Sequence, residues 1–331
     1  MAALAASTCH AAFSSVAVIG GGGAGVAAAA ALLARGLDVT LFDRRPHLGG
    51  LWGNPDMLYP GLVTNLPKEV MAYSPSLPFD AALPSFVTSG DMAGYVQAAA
   101  AAQRVDPVAR LRTEITDVRK PGGGKWTVTS CPAGGGAAST DEFDAVVVGN
   151  GHYNLPVVPA IPGAADFPGR TRHSCEYAGP DEFAGKAVLV VGGRASGADI
   201  ARELSVLCAG RGDGAVVVAD STAPPSDALS SNRGGSGGGT GGSGFLRLAP
   251  RLERLDADGF AHFAGGAKAK VDEVVWAVGY EYAFPFLPSD GADGTPTVGV
   301  RDRAVSDLYV ESGRSRAAIA TPIRPPRHHY Y

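Results

Sequence analysis

The sequence predicts an α/β protein of two doubly wound parallel sheets, and three observations carry that prediction. Short apolar runs alternate with helix-like segments along the chain. Two of those runs end in glycine-rich turns, VAVIGGGGAG at 16–25 and VLVVGGRASG at 188–197, and each turn opens a helix-like segment. The length, 331 residues of which 45% are hydrophobic, suffices for about two domains with their own cores.

Residues 16–19 read as a buried parallel strand, 25–35 as the helix after the first turn, and 39–42 as the next strand, ending in Asp43. A Gly/Pro-rich stretch with few periodic signals covers 46–89, and a helix is expected over 91–105. Strands at 111–118 and 125–130 flank a Pro-Gly-Gly-Gly turn at 121–124. Residues 131–140 read as a low-complexity loop, and 145–148 as an all-apolar strand before Gly149-Asn150-Gly151. A second unit begins at Lys186, with strand 188–191, helix 196–208 and strand 215–219. A Gly/Ser-rich insert at 222–244 reads as flexible, and further strands are expected at 271–278 and 316–321. Residues 323–331 show no helical period, so His328 and His329 read as part of a frayed tail rather than as metal ligands.

Composition narrows the function classes. A net charge of −4 offers no basic face for nucleic acid. The longest apolar run, 24–34, is about half of what a membrane span needs, and it lies where a helix must pack on a sheet. The four cysteines, Cys9, Cys131, Cys175 and Cys208, form no CxxC or Cys/His cluster, so neither a zinc site nor a redox disulfide is expected. They suit a reducing, cytoplasmic setting. The first 15 residues contain no Asp, Glu, Lys or Arg and read as a floppy tail, with an organellar targeting role as the alternative.

The first turn carries GxGxxG in Gly20, Gly22 and Gly25, with Gly21, Gly23 and Ala24 between. The first glycine permits the tight turn, the second lets backbone approach a pyrophosphate, and the third lets helix and strand pack closely. The helix N-terminus supplies N–H groups and partial positive charge to phosphate. Asp43, at the next strand end, stands where an acid accepts ribose hydroxyls. Gly49-Gly50-Leu51-Trp52 then allows close chain approach and offers an aromatic wall; a turn followed by a core tryptophan is the plainer alternative. The second turn, Gly192-Gly193-Arg194-Ala195-Ser196-Gly197, has Arg194 where the middle glycine is expected.

The segments GGGGAG (20–25), FDRRPHLGGLW (42–52), LVTNLPKEVMAY (62–73), FPGRTRHSCEY (167–177), VVGGRASGADIA (190–201) and AVGYEYAFPFL (277–287) follow one another along the chain, and in that order it resembles the flavin-containing monooxygenases. The segment at 167–177 is similar to that family's FxGxxxHxxxY motif, with Phe167, Gly169, His173 and Tyr177 in the fixed positions. The resemblance implies two Rossmann-like dinucleotide-binding domains, the NAD(P) domain inserted in the FAD domain: 14–178 as the first part of the FAD domain, 182–281 as the NAD(P)H domain, and 282–331 as a shortened return to the FAD domain. It implies FAD at the first turn, Asp43 on its ribose, Leu51 and Trp52 beside it, and Thr64, Asn65 and Leu66 near the flavin–nicotinamide junction. It implies NADPH at Gly192 to Gly197 with Asp199, and a structural role between domains for the His173 motif.

The activity so implied is an N,N-dimethylaniline monooxygenase-like oxygenation of soft sulfur or nitrogen atoms of small molecules, using O2 and NADPH through a C4a-hydroperoxyflavin. Asn65 is the expected catalytic hydrogen-bond donor. No metal, nucleic acid or membrane anchor is part of this expectation. Arg194 crowds a pyrophosphate, which predicts weakened NADPH affinity; the alternative is a guanidinium folded outward to pair with phosphate. Asp220, ending the second strand of that unit, favours NADH over NADPH. An NAD(P)H oxidase or reductase without oxygen transfer, and a non-catalytic nucleotide-binding remnant, are the competing readings.

Overall fold

The computed structural model describes residues 14–211, 215–222, 230–231, 246–288, 295, 299–301, 304–306 and 317–319. Most of the Gly/Ser-rich insert and residues 323–331 lie outside them. The chain divides into two compact units, one within Met1–Asn54, Leu66–Asn154 and Tyr282–Tyr331, the other within Pro55–Asn65 and Leu155–Glu281. The chain therefore leaves the first unit twice, once for a short excursion of 55–65 and once for the long stretch 155–281.

In the first unit a five-stranded sheet runs in the order Ala317–Ile319, Ala145–Val148, Ser15–Ile19, Asp38–Phe42, Ala109–Arg110. All four pairings are parallel, with Val16 opposite both Val39 and Ala145. The order reverses beside the first strand, which makes its carboxyl end the switch point of a doubly wound sheet. The helix starts at Gly23 because Gly22 already accepts from Val26 N–H, and it ends at Leu33 ahead of Gly36, whose φ of +75° stops it. The next helix, Ser89–Ala102, begins ahead of the expected Asp91 because Thr88 and Asp91 form a reciprocal capping box. Its buried residues Met92, Tyr95, Val96 and Ala100 share a core with Val18, Val26 and Leu41.

The expected loop at 131–140 is corrected: strand Trp126–Pro132 runs antiparallel to Ser139–Phe143 and to Thr113–Arg119. Thr129 and Thr140 hydroxyls meet across the pair at 3.0 Å, and the polar partner strand Ser139–Phe143 offers no apolar alternation to read.

The second unit repeats the plan. Its six-stranded sheet runs Ser230–Ser231, Leu246–Ala249, Ala215–Ala219, Ala187–Val191, Glu273–Trp276, Arg170–His173, and only the Ser230–Ser231 edge is antiparallel. Helix Ala195–Arg211 follows strand Ala187–Val191 and buries Ile200, Ala201 and Leu204 against Val188, Val190 and Val216. The strands Leu252–Leu255, Phe260–Phe263 and Lys268–Lys270 form a small antiparallel sheet with no counterpart among the expected elements. No helix among the described residues is long and apolar enough to cross a membrane.

Candidate dinucleotide sites

The first turn is closed from three sides by its own unit. Gly20 has φ +106°, and a Cβ there would lie 2.3 Å from Gly149 O; a Cβ on Gly25 would lie 1.7 Å from Gly20 O. Both are glycine because backbone passes against backbone. Behind the turn, Asp43 is buried and accepts Gly21 N–H at 2.6 Å and Arg45 N–H at 2.7 Å. In front, the 42–52 segment wraps back: Gly49 N–H donates to Gly21 O, and Gly50 lies so close that a Cβ would sit 2.6 Å from Gly22 Cα. Leu51 and Trp52 follow, half-buried on the short turn Gly50–Gly53.

Gly22 is different. It has extended backbone (φ −78°, ψ −175°), and a Cβ there would meet only Gly50 Cα at 3.5 Å, an ordinary contact. The fold does not demand glycine at this position, whereas an approaching pyrophosphate does. Gly22 also caps helix Gly23–Leu33 with no side-chain acceptor, and the first turn of that helix carries no acid. Its leading N–H groups thus have neither a capping side chain nor an acid within the first turn, the arrangement that receives a phosphate. These residues fit a dinucleotide whose ribose reaches Asp43.

One residue of this site escaped sequence reading. Tyr73, at the end of the LVTNLPKEVMAY segment, donates its hydroxyl to Gly23 O at 2.9 Å, and burial holds its phenol pKa well above the usual range. The same segment's Lys68 is buried, with Nζ donating to Asp80 O (2.7 Å), Ala81 O (3.2 Å) and Leu83 O. Thr64 is buried, and Asn65 and Leu66 are exposed; the boundary between the units falls between the latter two.

The second turn keeps every glycine that its fold requires. A Cβ would lie 2.5 Å from Ala277 O at Gly192 (φ +106°), 2.5 Å from Asp220 Oδ2 at Gly193, and 1.8 Å from Gly192 O at Gly197. Of the three GxGxxG glycines it lacks only the one matching Gly22, where Arg194 is exposed and its side chain has no partner among the described residues. Asp220 matches Asp43: it ends the neighbouring strand, faces the second residue of the turn, and accepts Thr222 N–H and Oγ1–H through Oδ1. An acid here fits ribose hydroxyls and opposes a 2′-phosphate. Asp199 is turned elsewhere, towards Tyr59 Oη at 3.1 Å and Arg202 Nη1 at 3.0 Å.

The 167–177 motif is built into the second unit. Phe167 lies in its core, and a Cβ on Gly169 would lie 2.2 Å from Asp272 O. His173 is buried; Nδ1 accepts Cys175 N–H at 3.2 Å, which leaves Nε2–H to donate to Gly279 O at 3.1 Å. Burial lowers its pKa, so a neutral ring in this tautomer joins strand Arg170–His173 to the 277–281 segment. All of these bonds lie within one unit.

Residues 14–217 match the family described as flavin-binding monooxygenase-like. Flavin-containing monooxygenase FMO GS-OX5 from Arabidopsis thaliana is 34% identical over 322 residues, covering 89% of this chain and 65% of the relative. FMO GS-OX-like 6 from the same plant is 32% identical over 322 residues, covering 89% and 64%. The chain thus spans just under two thirds of their length. Among solved structures, S-allyl-L-cysteine S-oxygenase from Allium sativum superposes with a TM-score of 0.74 at 30% identity, covering 88% of this chain and 67% of that one. A cyclohexanone monooxygenase at 16% identity and a TM-score of 0.59 shares the fold.

Proposed function

The chain belongs to the flavin-binding monooxygenase-like family, whose members use FAD and NADPH, and from that premise we propose that it transfers one oxygen atom of O2 to a soft nucleophile. In the proposed reaction a thioether, O2, NAD(P)H and one proton give a sulfoxide, water and NAD(P)+, with an amine nitrogen as the alternative acceptor. The nicotinamide supplies the two electrons that reduce the second oxygen atom to water. Sulfur is favoured over an N,N-dimethylaniline-like preference because the similar Allium sativum structure is of an S-oxygenase. FAD, when bound, supplies the redox chemistry that connects the nicotinamide to O2.

The residues of this chain bind and orient. Gly22 leaves room for the pyrophosphate of FAD, and the N–H groups that open helix Gly23–Leu33 face it. Asp43, its carboxylate fixed by Gly21 and Arg45, has lone pairs left for the ribose hydroxyls. Leu51, Trp52 and Leu66 provide apolar wall. Asn65, exposed at the end of the 55–65 excursion, is the proposed catalytic donor, and its carboxamide can give two hydrogen bonds to reacting oxygen and retained nucleotide. Gly192, Gly193, Ala195, Ser196 and Gly197 form the pyridine-nucleotide turn, with Arg194 reaching over it and Asp220 on the ribose.

The observation that carries this reading is Gly22, a glycine that the fold itself does not require. The test is a visible spectrum of the purified chain, then NAD(P)H consumption with thioether and amine substrates. A flavin spectrum with sulfoxide formation supports it, and colourless protein that takes up no FAD defeats it. Arg194 favours a second reading, NAD(P)H oxidation ending in hydrogen peroxide, in which flavin is present but no sulfoxide forms.

A further inference from the structure

We propose that Tyr59 is a positioning residue for the oxygenation, because the Tyr59–Asp199 and Tyr177–Glu203 hydrogen bonds clasp the Asn65-bearing segment onto the helix of the second glycine turn. This inference rests on the reading of Asn65 given above. Residues 55–65 carry only short backbone features, the turn Pro55–Met57, a turn closed by Leu62 N–H on Tyr59 O and a lone β-bridge at Val63, and side chains add to their hold. Tyr59 is the anchor. Its ring is buried in the core that holds Tyr177, Phe183, Ile200 and Leu204, and it meets the Tyr177 ring edge-on, 5.7 Å between centroids and 75° between planes.

The two phenols end on two carboxylates of helix Ala195–Arg211. Tyr59 Oη donates to Asp199 Oδ2 at 3.1 Å, and Tyr177 Oη donates to Glu203 Oε2 at 2.8 Å. Asp199 and Glu203 are four residues apart, so they stand on one face of the helix, where two like charges would ordinarily repel. Each instead accepts a hydrogen bond from a phenol, and Asp199 also pairs with Arg202 at 3.0 Å. Burial and these carboxylates raise both phenol pKa values, which keeps the donors protonated.

The chain beyond Tyr59 is held against the same helix. Leu62 N–H donates to Tyr59 O at 3.1 Å, its side chain joins the same core, and a Cβ on Gly61 would lie 2.6 Å from Glu203 Oε1. Thr64 is then buried and Asn65 emerges exposed. The helix that receives the clasp is the one opened by Gly192 to Gly197, so Asn65 is registered to the proposed pyridine-nucleotide turn through two hydrogen bonds and a tyrosine pair.

The test is Tyr59→Phe in the full chain, which keeps the ring and removes only the hydroxyl. Tyr177→Phe releases the other half. Two readouts are taken: amide hydrogen exchange across 60–65 in FAD-free protein, and hydrogen peroxide formed per NAD(P)H with FAD and a thioether. The expected result is unchanged FAD content, a thermal midpoint lowered by no more than a few degrees, exchange faster by about tenfold, and a peroxide share higher by about threefold. Unchanged exchange in both variants overturns the clasp. Faster exchange with an unchanged peroxide share, in a protein that Asn65→Ser does uncouple, overturns the positioning role. If Asn65→Ser itself leaves the peroxide share unchanged, the reading of Asn65 falls and the positioning role with it, while exchange still decides whether the clasp exists.

Discussion

Replacing Gly22 and Gly25 separately with alanine distinguishes a glycine that serves a ligand from one that serves the fold. A Cβ on Gly22 sits 3.5 Å from Gly50 Cα on backbone that any residue adopts. The structural cost is that of alanine for glycine at a helix cap, about 0.5–1 kcal/mol. The same methyl displaces the pyrophosphate from the helix N-terminus. One charge-assisted hydrogen bond from a backbone N–H to phosphate is worth about 1.5–3 kcal/mol, and without it FAD binds roughly 10- to 150-fold more weakly. In Gly25→Ala the Cβ starts 1.7 Å from Gly20 O and 2.9 Å from Gly20 C, so helix and strand must part by more than an ångström. That costs about 3 kcal/mol or more out of the usual 5–15. Urea denaturation of FAD-free protein and quenching of flavin fluorescence on titration read the two effects apart. The reasoning is refuted if Gly22→Ala unfolds as readily as Gly25→Ala, or if it binds FAD as tightly as the parent.

Other predictions follow from single side chains. Arg194→Gly restores the ligand-facing glycine of the second turn and tightens NADPH by about tenfold, read as a lower Kd by fluorescence titration; an unchanged or weaker Kd means that the guanidinium pairs with phosphate instead. Asp144 accepts both backbone N–H and hydroxyl donors of Ser14 and Ser15, which hold its carboxyl well below the usual carboxylate range. A carboxylate depressed in the folded state stabilises above its unfolded pKa of about 3.9 and loses that contribution as pH falls towards the folded value. Asp144→Ala therefore unfolds at a higher pH than the parent in an acid titration followed by circular dichroism. Lys68→Met strips three carbonyls of their shared donor and lowers stability by about 1–2 kcal/mol in urea, with earlier proteolytic cutting near 80–85.

The sequence revealed what backbone rules and burial dictate. Strands Ala145–Val148 and Ala215–Ala219 are legible to the residue, because all-apolar runs bounded by glycine or charge leave a strand little freedom. The expected strand at 316–321 appears as Ala317–Ile319, paired in parallel with Ala145–Val148. Strands such as Ser139–Phe143 and Lys268–Lys270 escaped because they lie at the edges of small antiparallel sheets and carry polar, exposed side chains. In the candidate sites the glycine spacing was legible, but which glycines the fold itself requires was not, since that depends on Gly149, Gly50 and Ala277, all distant in sequence. Asp199 carries an acid at a motif position, yet its partner Tyr59 is 140 residues away and no local pattern pairs them.

The central claim, a flavin-dependent oxygen transfer, is tested most directly by the ratio of sulfoxide formed to NAD(P)H consumed, measured with FAD-loaded protein, a saturating thioether and ¹⁸O-labelled O2. The account predicts labelled sulfoxide in near-stoichiometric ratio to the nucleotide oxidised. Nucleotide oxidised with all of the oxygen recovered as hydrogen peroxide, or sulfoxide carrying no label, would contradict it.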